Sequence, residues 1–449
     1  MNPSTMLRTA TVLVSCTTAS LAAAQDMKVG VGRQVITPEK PMWLAGYASR
    51  IAPSEGKVHD LWAKALAFED ETGARAVIVT TDLLTMPAVL AHAVAAQVQE
   101  RWNIPRERLM LTASHTHCSP VIQDGLVNMY GLDETQAALV GEYSEGLRVL
   151  IAASIEQALQ NLEPCLLTWG VGEANFAGNR RKYTLDGVTN DFNPIGVVDH
   201  DVPVLLAKRS DGSPKALLFG YACHNTTLSF QLFCGDYAGF AQLAVEKAFP
   251  GCTAMFAAGC GGDQNPYPRR ELALAEQHGK SLAAAVESAI QADMAVVKGP
   301  LRATYKEIPL ALSEPPTRDM LEEQLKSADK YVARRAQALI ATLDSSGKLD
   351  TSYPYPVQVW QFSDTLQLTA LGGEVVVDYS LRLKYELGRE KQFVIAYAND
   401  VPAYIPSLRV LREGGYEGAG AMVYYGLYGP WAPAVEEDII SVVHELSGR

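Results

Sequence analysis

Short apolar, β-branched runs alternate along this chain with longer Ala- and Leu-rich stretches of helical period, a pattern that predicts an α/β protein with helices packed on a mixed sheet. The first strand reads over 74–81 (ARAVIVTT), followed by Asp82 and a helix over 87–101. A strand over 108–113 and a helix over 139–159 follow. Two apolar runs, 202–208 and 216–222, flank Ser210-Asp211-Gly212-Ser213-Pro214, which is a hairpin signal. The strand over 252–258 empties into a Gly-rich loop, so four successive strands end in polar or Gly-rich segments. Pro315-Pro316 opens a charged amphipathic stretch over 317–343, closed by Ser345-Ser346-Gly347, so residues 313–352 read as a helical insertion or a hairpin arm facing solvent. A hairpin of 357–362 and 365–370 turns at Ser363-Asp364. It leads through Gly372-Gly373-Glu374 into a helix over 375–387, and a last strand over 392–397 runs into Asn399-Asp400 and Tyr404.

With 449 residues the chain can bury a substantial core, and length alone would admit two or three domains. The 38 Lys+Arg against 50 Asp+Glu give a net charge of -12 with no basic stripe, which argues against a nucleic-acid partner. At the N-terminus Arg8, a mildly apolar 11–21 and Ala22-Ala23-Ala24 read as an export signal over 1–24, with a mature chain starting near Gln25 in the periplasm or outside the cell. Leu13-Val14-Ser15-Cys16 also resembles a lipobox, which would anchor the chain by a lipid on Cys16. Beyond residue 25 no run approaches the roughly 20 apolar residues of a membrane span. The other six cysteines show no CxxC spacing; Cys223 with Cys234, or Cys252 with Cys260, could close short loops, and free buried thiols are the plainer reading.

The chemistry-bearing residues sit where strands end. Ser114-His115-Thr116-His117 follows the run 109–113, and in extended backbone residues two apart point the same way, so two imidazoles can meet at one spot. His224, Glu374 and Tyr404 also follow strands, and in open α/β sheets the functional crevice lies beyond the carboxyl ends. Two or three imidazoles with a carboxylate suit zinc, which takes about four N, O or S ligands and promotes hydrolysis. Plainer explanations exist for each: hydrogen-bonded histidines, a core His224, a first-turn Glu374 favoured by the helix dipole, a packing Tyr404. The glycines of 259–263 suit either a tight turn or backbone N–H groups aimed at an anion.

The segments SHTHCSP (114–120), ACHNTTLS (222–229), GCGGDQNP (259–266), LGGEVV (371–376) and the Tyr-rich tail resemble the neutral/alkaline, non-lysosomal ceramidase family, in matching order from Val31-Gly32-Arg33 to about Pro430. That resemblance implies one catalytic domain over 25–449 that hydrolyses an N-acyl amide of a small acylated compound, a sphingolipid-like one among the candidates, with one zinc ion. By motif it implies His115, His224, Glu374 and Tyr404 as metal ligands, with His117 as an acid/base or supporting histidine. Tyr416, twelve residues after Tyr404, would be a catalytic tyrosine, and Arg180 in GNRRK a substrate-contacting arginine. His117 or Asp263 would take or relay the proton of water, while Tyr416 and Arg180 steady the oxyanion or leaving group. Two departures stand out. GGDQNP carries no hydroxyl where the family has a catalytic serine in a GDxSPN-like segment, and the family's following Ig-like domain is not expected within these 449 residues. Another small acylated compound, such as an amino sugar cleaved by an esterase or deacylase, is therefore the alternative, followed by a non-catalytic metal-containing binding protein.

Overall fold

A computed structural model describes residues 27–449; the export signal and Cys16 lie outside the described residues. The large sheet runs in the spatial order Thr253–Ala258, Pro214–Tyr221, Asp201–Lys208, Glu163–Glu173, Met27–Val35, Trp62–Glu69, Arg75–Thr81, Leu109–Ala113, with Ala295–Val297 beside Glu163–Glu173. Its two ends are parallel pairs, and the middle is antiparallel. A four-stranded sheet, Leu301–Ala311, Ser352–Phe362, Leu366–Leu371 and Gln392–Ile395, packs against one face.

The result is four layers. Alternate residues of the large sheet separate cleanly: Ile78, Met110, Leu218 and Met255 meet Trp360, Phe362, Leu368 and Phe393 of the small sheet. Val77, Val79, Leu111, Leu217 and Phe219 face the helices. Burial on both faces explains why these strands read as continuous apolar runs. The helices Ala88–Trp102, Glu134–Gln160, Asp236–Ala248 and Leu272–Gln291 cover the outer face of the large sheet; Val377–Leu387 and Val435–Ser447 cover the small one.

Helix Glu134–Gln160 begins five residues before the apolar period does, because the Asp133 side chain accepts the N–H of Gln136 and caps it. It lies unusually close to the sheet. A Cβ on Gly30 would stand 1.9 Å from the carbonyl oxygen of Ala158, and one on Gly32 2.0 Å from that of Ser154. The two glycines, on one face of Met27–Val35, are what admit the helix backbone.

The charged stretch after Pro316 forms two helices, Arg318–Gln324 and Lys330–Ser346, and it is less solvent-facing than its composition predicts. Leu321, Ala336, Leu339 and Leu349 form a small core of their own, and the Tyr331 hydroxyl donates to the Ala48 carbonyl at 2.9 Å. The six cysteines from Cys118 to Cys260 are all buried and free, so neither short disulfide loop forms.

The two edge strands of the large sheet approach each other, and segment 396–399 joins their carboxyl ends. Ala396 donates its N–H to Ala258 (2.9 Å), Ala113 donates to Tyr397 (3.1 Å), and Asn399 donates to Leu111 (2.7 Å). Loops that follow opposite edges of the sheet are thereby brought to one place.

Replacing Gly30 by Ala forces a methyl group into helix backbone, where no flexible side chain can yield. The expected loss is about 3 kcal/mol, at the upper end for overpacking, read as a lowered urea midpoint. An unchanged midpoint would show that the close approach is not required.

Candidate metal centre

The loops are fastened to one another by main-chain hydrogen bonds before any side chain is considered. His117 donates to Asn225 (3.4 Å), His224 to Gln264 (2.9 Å), Gly262 to Val375 (2.8 Å), and Tyr397 to Gly373 (3.1 Å). Glu374–Val375 and Tyr404–Ile405 form a short parallel pair in which Glu374 and Tyr404 are register partners. The N–H groups of Gly259, Gly261 and Gly262 all go to carbonyls, so this loop is a tight turn and not an anion nest. Gly261 is required there, since its Cβ would lie 2.6 Å from the Cys223 nitrogen.

His115, His117 and His224 converge, with ligand atoms of the three rings within 4.8 Å of one another, a group that could hold a metal ion. The strand stops at Ala113, and His115 has φ +60°. The two imidazoles of the HxH pair therefore meet, Nε2 to Nε2 at 3.2 Å, through a turn and not through the strand alternation expected from the sequence.

His115 Nδ1 lies 2.7 Å from the Leu84 carbonyl, and His224 Nδ1 lies 2.6 Å from the Gly261 carbonyl. A carbonyl can only accept, so each Nδ1 carries the proton. Burial, and then the charge of Arg180, pushes the His224 pKa down to about 4, so this ring is neutral and its Nε2 presents a lone pair. Glu374 Oε2 stands 3.1 Å from His115 Nε2 and 3.0 Å from His224 Nε2, with no hydrogen-bond donor of its own. All three side chains are at most 3% exposed. The lone pair of His224 and a carboxylate oxygen this close, away from water, repel unless a positive charge lies beside them. The donor set of two imidazoles and a carboxylate fits a divalent transition metal.

Around this centre, the Tyr404 hydroxyl lies 3.1 Å from His224 Nε2 and accepts from Arg180 Nη2 at 2.9 Å. Arg180 Nε donates to Glu417 (2.8 Å), whose other oxygen takes Arg181 Nη1 (2.7 Å). Burial works against the charge of Arg180, but Tyr404 and Glu417 hold its pKa well above the ordinary value. Tyr416 packs edge-on to Tyr404 with ring centroids 5.3 Å apart. The His117 pKa is pushed well down by burial and then by the neighbouring imidazoles, and its Nδ1 has no partner.

Asp263 is held apart from the imidazoles. Its carboxylate accepts the N–H of Val377 (2.9 Å), at the start of a helix, and the Asn179 side chain (3.1 Å). Three further residues complete the shell. The Tyr425 hydroxyl bonds Glu374 Oε1, Tyr397 stacks on His115 at 4.3 Å, and Glu417 pairs both arginines. Only the density of tyrosines in the tail signals these residues in the sequence.

Fold and site together define a layered αββα protein with a buried histidine–carboxylate centre that could hold a metal ion. The family model "Neutral/alkaline non-lysosomal ceramidase, N-terminal" matches residues 27–304, more than half of the chain. The chain belongs to the neutral/alkaline non-lysosomal ceramidase family. That match includes His115, His117, Arg180, His224 and Asp263, whereas Glu374, Tyr404 and Tyr416 lie beyond it. Neutral ceramidase B of Dictyostelium discoideum is 26% identical over 219 residues, which span 46% of this chain and 30% of that relative. Among solved structures, a ceramidase complexed with C2 (20% identity) and the neutral ceramidase from Pseudomonas aeruginosa (21%) each superpose with a TM-score of 0.72, covering 94% of this chain and 75% of theirs. At these identities they show the fold. No helix among the described residues is long and apolar enough to cross a membrane.

Glu417 is 2% exposed and neutralises two buried guanidinium groups. Changing Glu417→Gln leaves a buried positive charge uncompensated, and a loss of about 3 kcal/mol is expected in urea unfolding at pH 7. Burial alone would raise this carboxyl, but Arg180 and Arg181 hold it below the ordinary value. The stability it contributes is present above the unfolded-state pKa and is lost as pH falls through the lower folded one. The variant should therefore lack that acid limb; a variant with wild-type stability at pH 7 and an unchanged acid limb would refute the pairing as a structural element.

Proposed function

We propose that this protein is an exported, zinc-dependent hydrolase of N-acyl amide bonds, with residues 25–449 as one catalytic domain. The observation that carries this reading is Glu374 Oε2, set 3.0 to 3.1 Å from two imidazole Nε2 atoms whose Nδ1 protons are fixed by backbone carbonyls. Family membership supports the choice of an amide over other acyl bonds. His115, His224 and Glu374 would hold the ion, with Tyr404 as a fourth ligand. Zinc bound there supplies Lewis acidity, which acidifies water and polarises a carbonyl.

The remaining roles belong to the chain itself. His117 is the imidazole of the centre whose Nδ1 no backbone carbonyl has taken, and its Nε2 faces inward beside His115. It accepts a proton from the attacking water at Nε2 and returns it to the departing amine nitrogen. Tyr416 steadies the developing oxyanion with its hydroxyl, and Arg180 orients the Tyr404 hydroxyl that its Nη2 already holds. Asp263 acts as a positioning residue, fixing Val377 and Asn179 behind the loop that carries the centre. Leu84, Gly261 and Tyr425 hold the proposed ligands in orientation, the kind of support whose removal costs 10- to 100-fold in metal affinity, as an order of magnitude.

Metal analysis should find one zinc per chain. Chelation should abolish cleavage of N-acyl amides, and added zinc should restore it. The His224→Ala protein should lose metal and turnover together. His117→Ala should keep its zinc while kcat falls by roughly 10²–10⁴. Full zinc content in His224→Ala, or cleavage of matched esters but of no amide, would overturn the assignment.

A further inference from the structure

Three arginines lie beside this centre with no carboxylate partner among the described residues. Tyr47 packs on His117 with ring centroids 4.7 Å apart, and the guanidinium groups of Arg50 and Arg270 each lie 5.3 Å from the Tyr47 ring. Arg270 Nη1 donates to the Tyr47 hydroxyl at 2.8 Å. Arg269 reaches the centre along another line. Its Nη1 donates to Thr226 (3.4 Å), Thr226 donates to Asn265 (3.1 Å), and Asn265 accepts from Arg180 (3.4 Å), which holds Tyr404.

Among the described residues no carboxylate forms an ion pair with these groups. Arg50 is 9% exposed; it bonds the carbonyls of Phe230 and His117 and the amide oxygen of Gln231, and its Nε has no partner. Among the described residues Arg269 and Arg270 hydrogen-bond only to hydroxyl groups through their side chains. Asp236, the carboxylate felt at Tyr47, is taken up by the N–H groups of Leu228 (2.8 Å) and Tyr237 (2.6 Å). Glu271 is exposed and forms no ion pair. Burial, and then Arg270, lowers the pKa of Arg269, the mark of a cation crowded by another. Yet Arg270 is held in place: its φ is +93°, and its N–H donates to the Thr227 carbonyl at 2.6 Å. Arg50 is buried, Arg269 half-buried and Arg270 exposed; guanidinium groups that lack a carboxylate pair best with a carboxylate, sulfate or phosphate, often bidentately.

We propose that Arg269 and Arg270, backed by Arg50, form a subsite for an oxyanion on the substrate, so that this enzyme acts on anionic N-acyl amides, with N-acyl amino acids as the substrate class. This inference rests on the amidohydrolase reading above. It departs from an uncharged sphingolipid amide, which would leave all three cations without an anionic partner.

The test compares amides of one acyl chain whose amine carries a carboxylate (N-acylglycine), a neutral hydroxyl (N-acylethanolamine), a sulfonate (N-acyltaurine) or a phosphate (N-acylethanolamine phosphate). The expected result is a kcat/KM at least tenfold higher for the carboxylate than for the neutral amide, carried mainly by KM and reduced by high salt. In Arg269→Gln and Arg270→Gln that ratio should fall toward one, Arg→Lys at either position should restore part of it, and the remote Arg33→Gln should leave it unchanged. A stronger preference for sulfonate or phosphate would overturn the amino-acid class. A preference for the neutral amide, or a ratio unaltered in both Gln variants, would overturn the subsite. Calorimetric binding of N-acylglycine separates the two readings. Binding that is lost in the Gln variants, with no amide cleaved, would sink the amidohydrolase reading and keep the subsite; cleavage of the neutral amide without anion binding would do the reverse.

Discussion

The arrangement rests on one electrostatic constraint: a carboxylate oxygen and two imidazole Nε2 atoms are held together, out of contact with water, with nothing of opposite sign between them. The protein could have relieved this by turning either ring, because a reversed tautomer would donate a proton to Glu374. The carbonyls of Leu84 and Gly261 prevent it, since each can only accept. The second carboxylate oxygen is likewise engaged by Tyr425. What remains is a cluster of buried acceptors that favours a positive charge among them. The same logic accounts for the surroundings: Arg180 stays outside the cluster, paired to Glu417, and reaches it only through the Tyr404 hydroxyl.

Holding such a cluster demands rigidity, because mutual repulsion would otherwise spread the groups apart. The residues come from positions as distant as 115 and 404 and from strands at opposite edges of the large sheet. Side-chain packing alone would fix them loosely. Instead the loops bond one another through their backbones, 117 to 225, 224 to 264, 262 to 375, 373 to 397 and 397 to 113, so each segment is fixed by its neighbours. The small sheet contributes two of these segments, the loops after Leu366–Leu371 and after Gln392–Ile395. Its packing through Trp360, Phe362 and Phe393 is therefore also what carries Glu374 to the histidines.

Much of this is legible in the sequence, for a physical reason. Strands buried on both faces must be apolar throughout, so 74–81, 216–222 and 252–258 stand out, and the polar residues that end them mark one rim. The division into two sheets is hidden, because a run such as 357–362 looks the same whichever sheet it joins. Helix starts are displaced where a capping side chain, as at Asp133, extends the helix beyond its apolar face. At the centre the residue types are visible but their geometry is not: His115 and His117 meet only because His115 takes a positive φ, which no spacing rule conveys. Tyr397, Glu417 and Tyr425 escape notice because a hydroxyl or carboxylate that supports a ligand has no spacing of its own.

The loop from Gly259 to Arg270 shows why family membership constrains the chemistry more tightly than the substrate. Its first half is fastened: glycine backbone lies against Cys223 and Val375, and Gln264 bonds Ala222 and Cys260 through its side chain. A change there would move His224. Its second half touches the centre through the Asn265 amide, Thr226 and the contact of Arg270 with Tyr47, which packs on His117, and none of its side chains hydrogen-bonds His115, His117 or His224. At Asn265 the chain keeps a polar group but not the hydroxyl expected of the family, and four residues on it places two guanidinium groups beside the centre. Both departures fall on this half of the loop, away from the glycines that seat His224, so they bear on what approaches the centre while the groups proposed to act on its amide stay where they are.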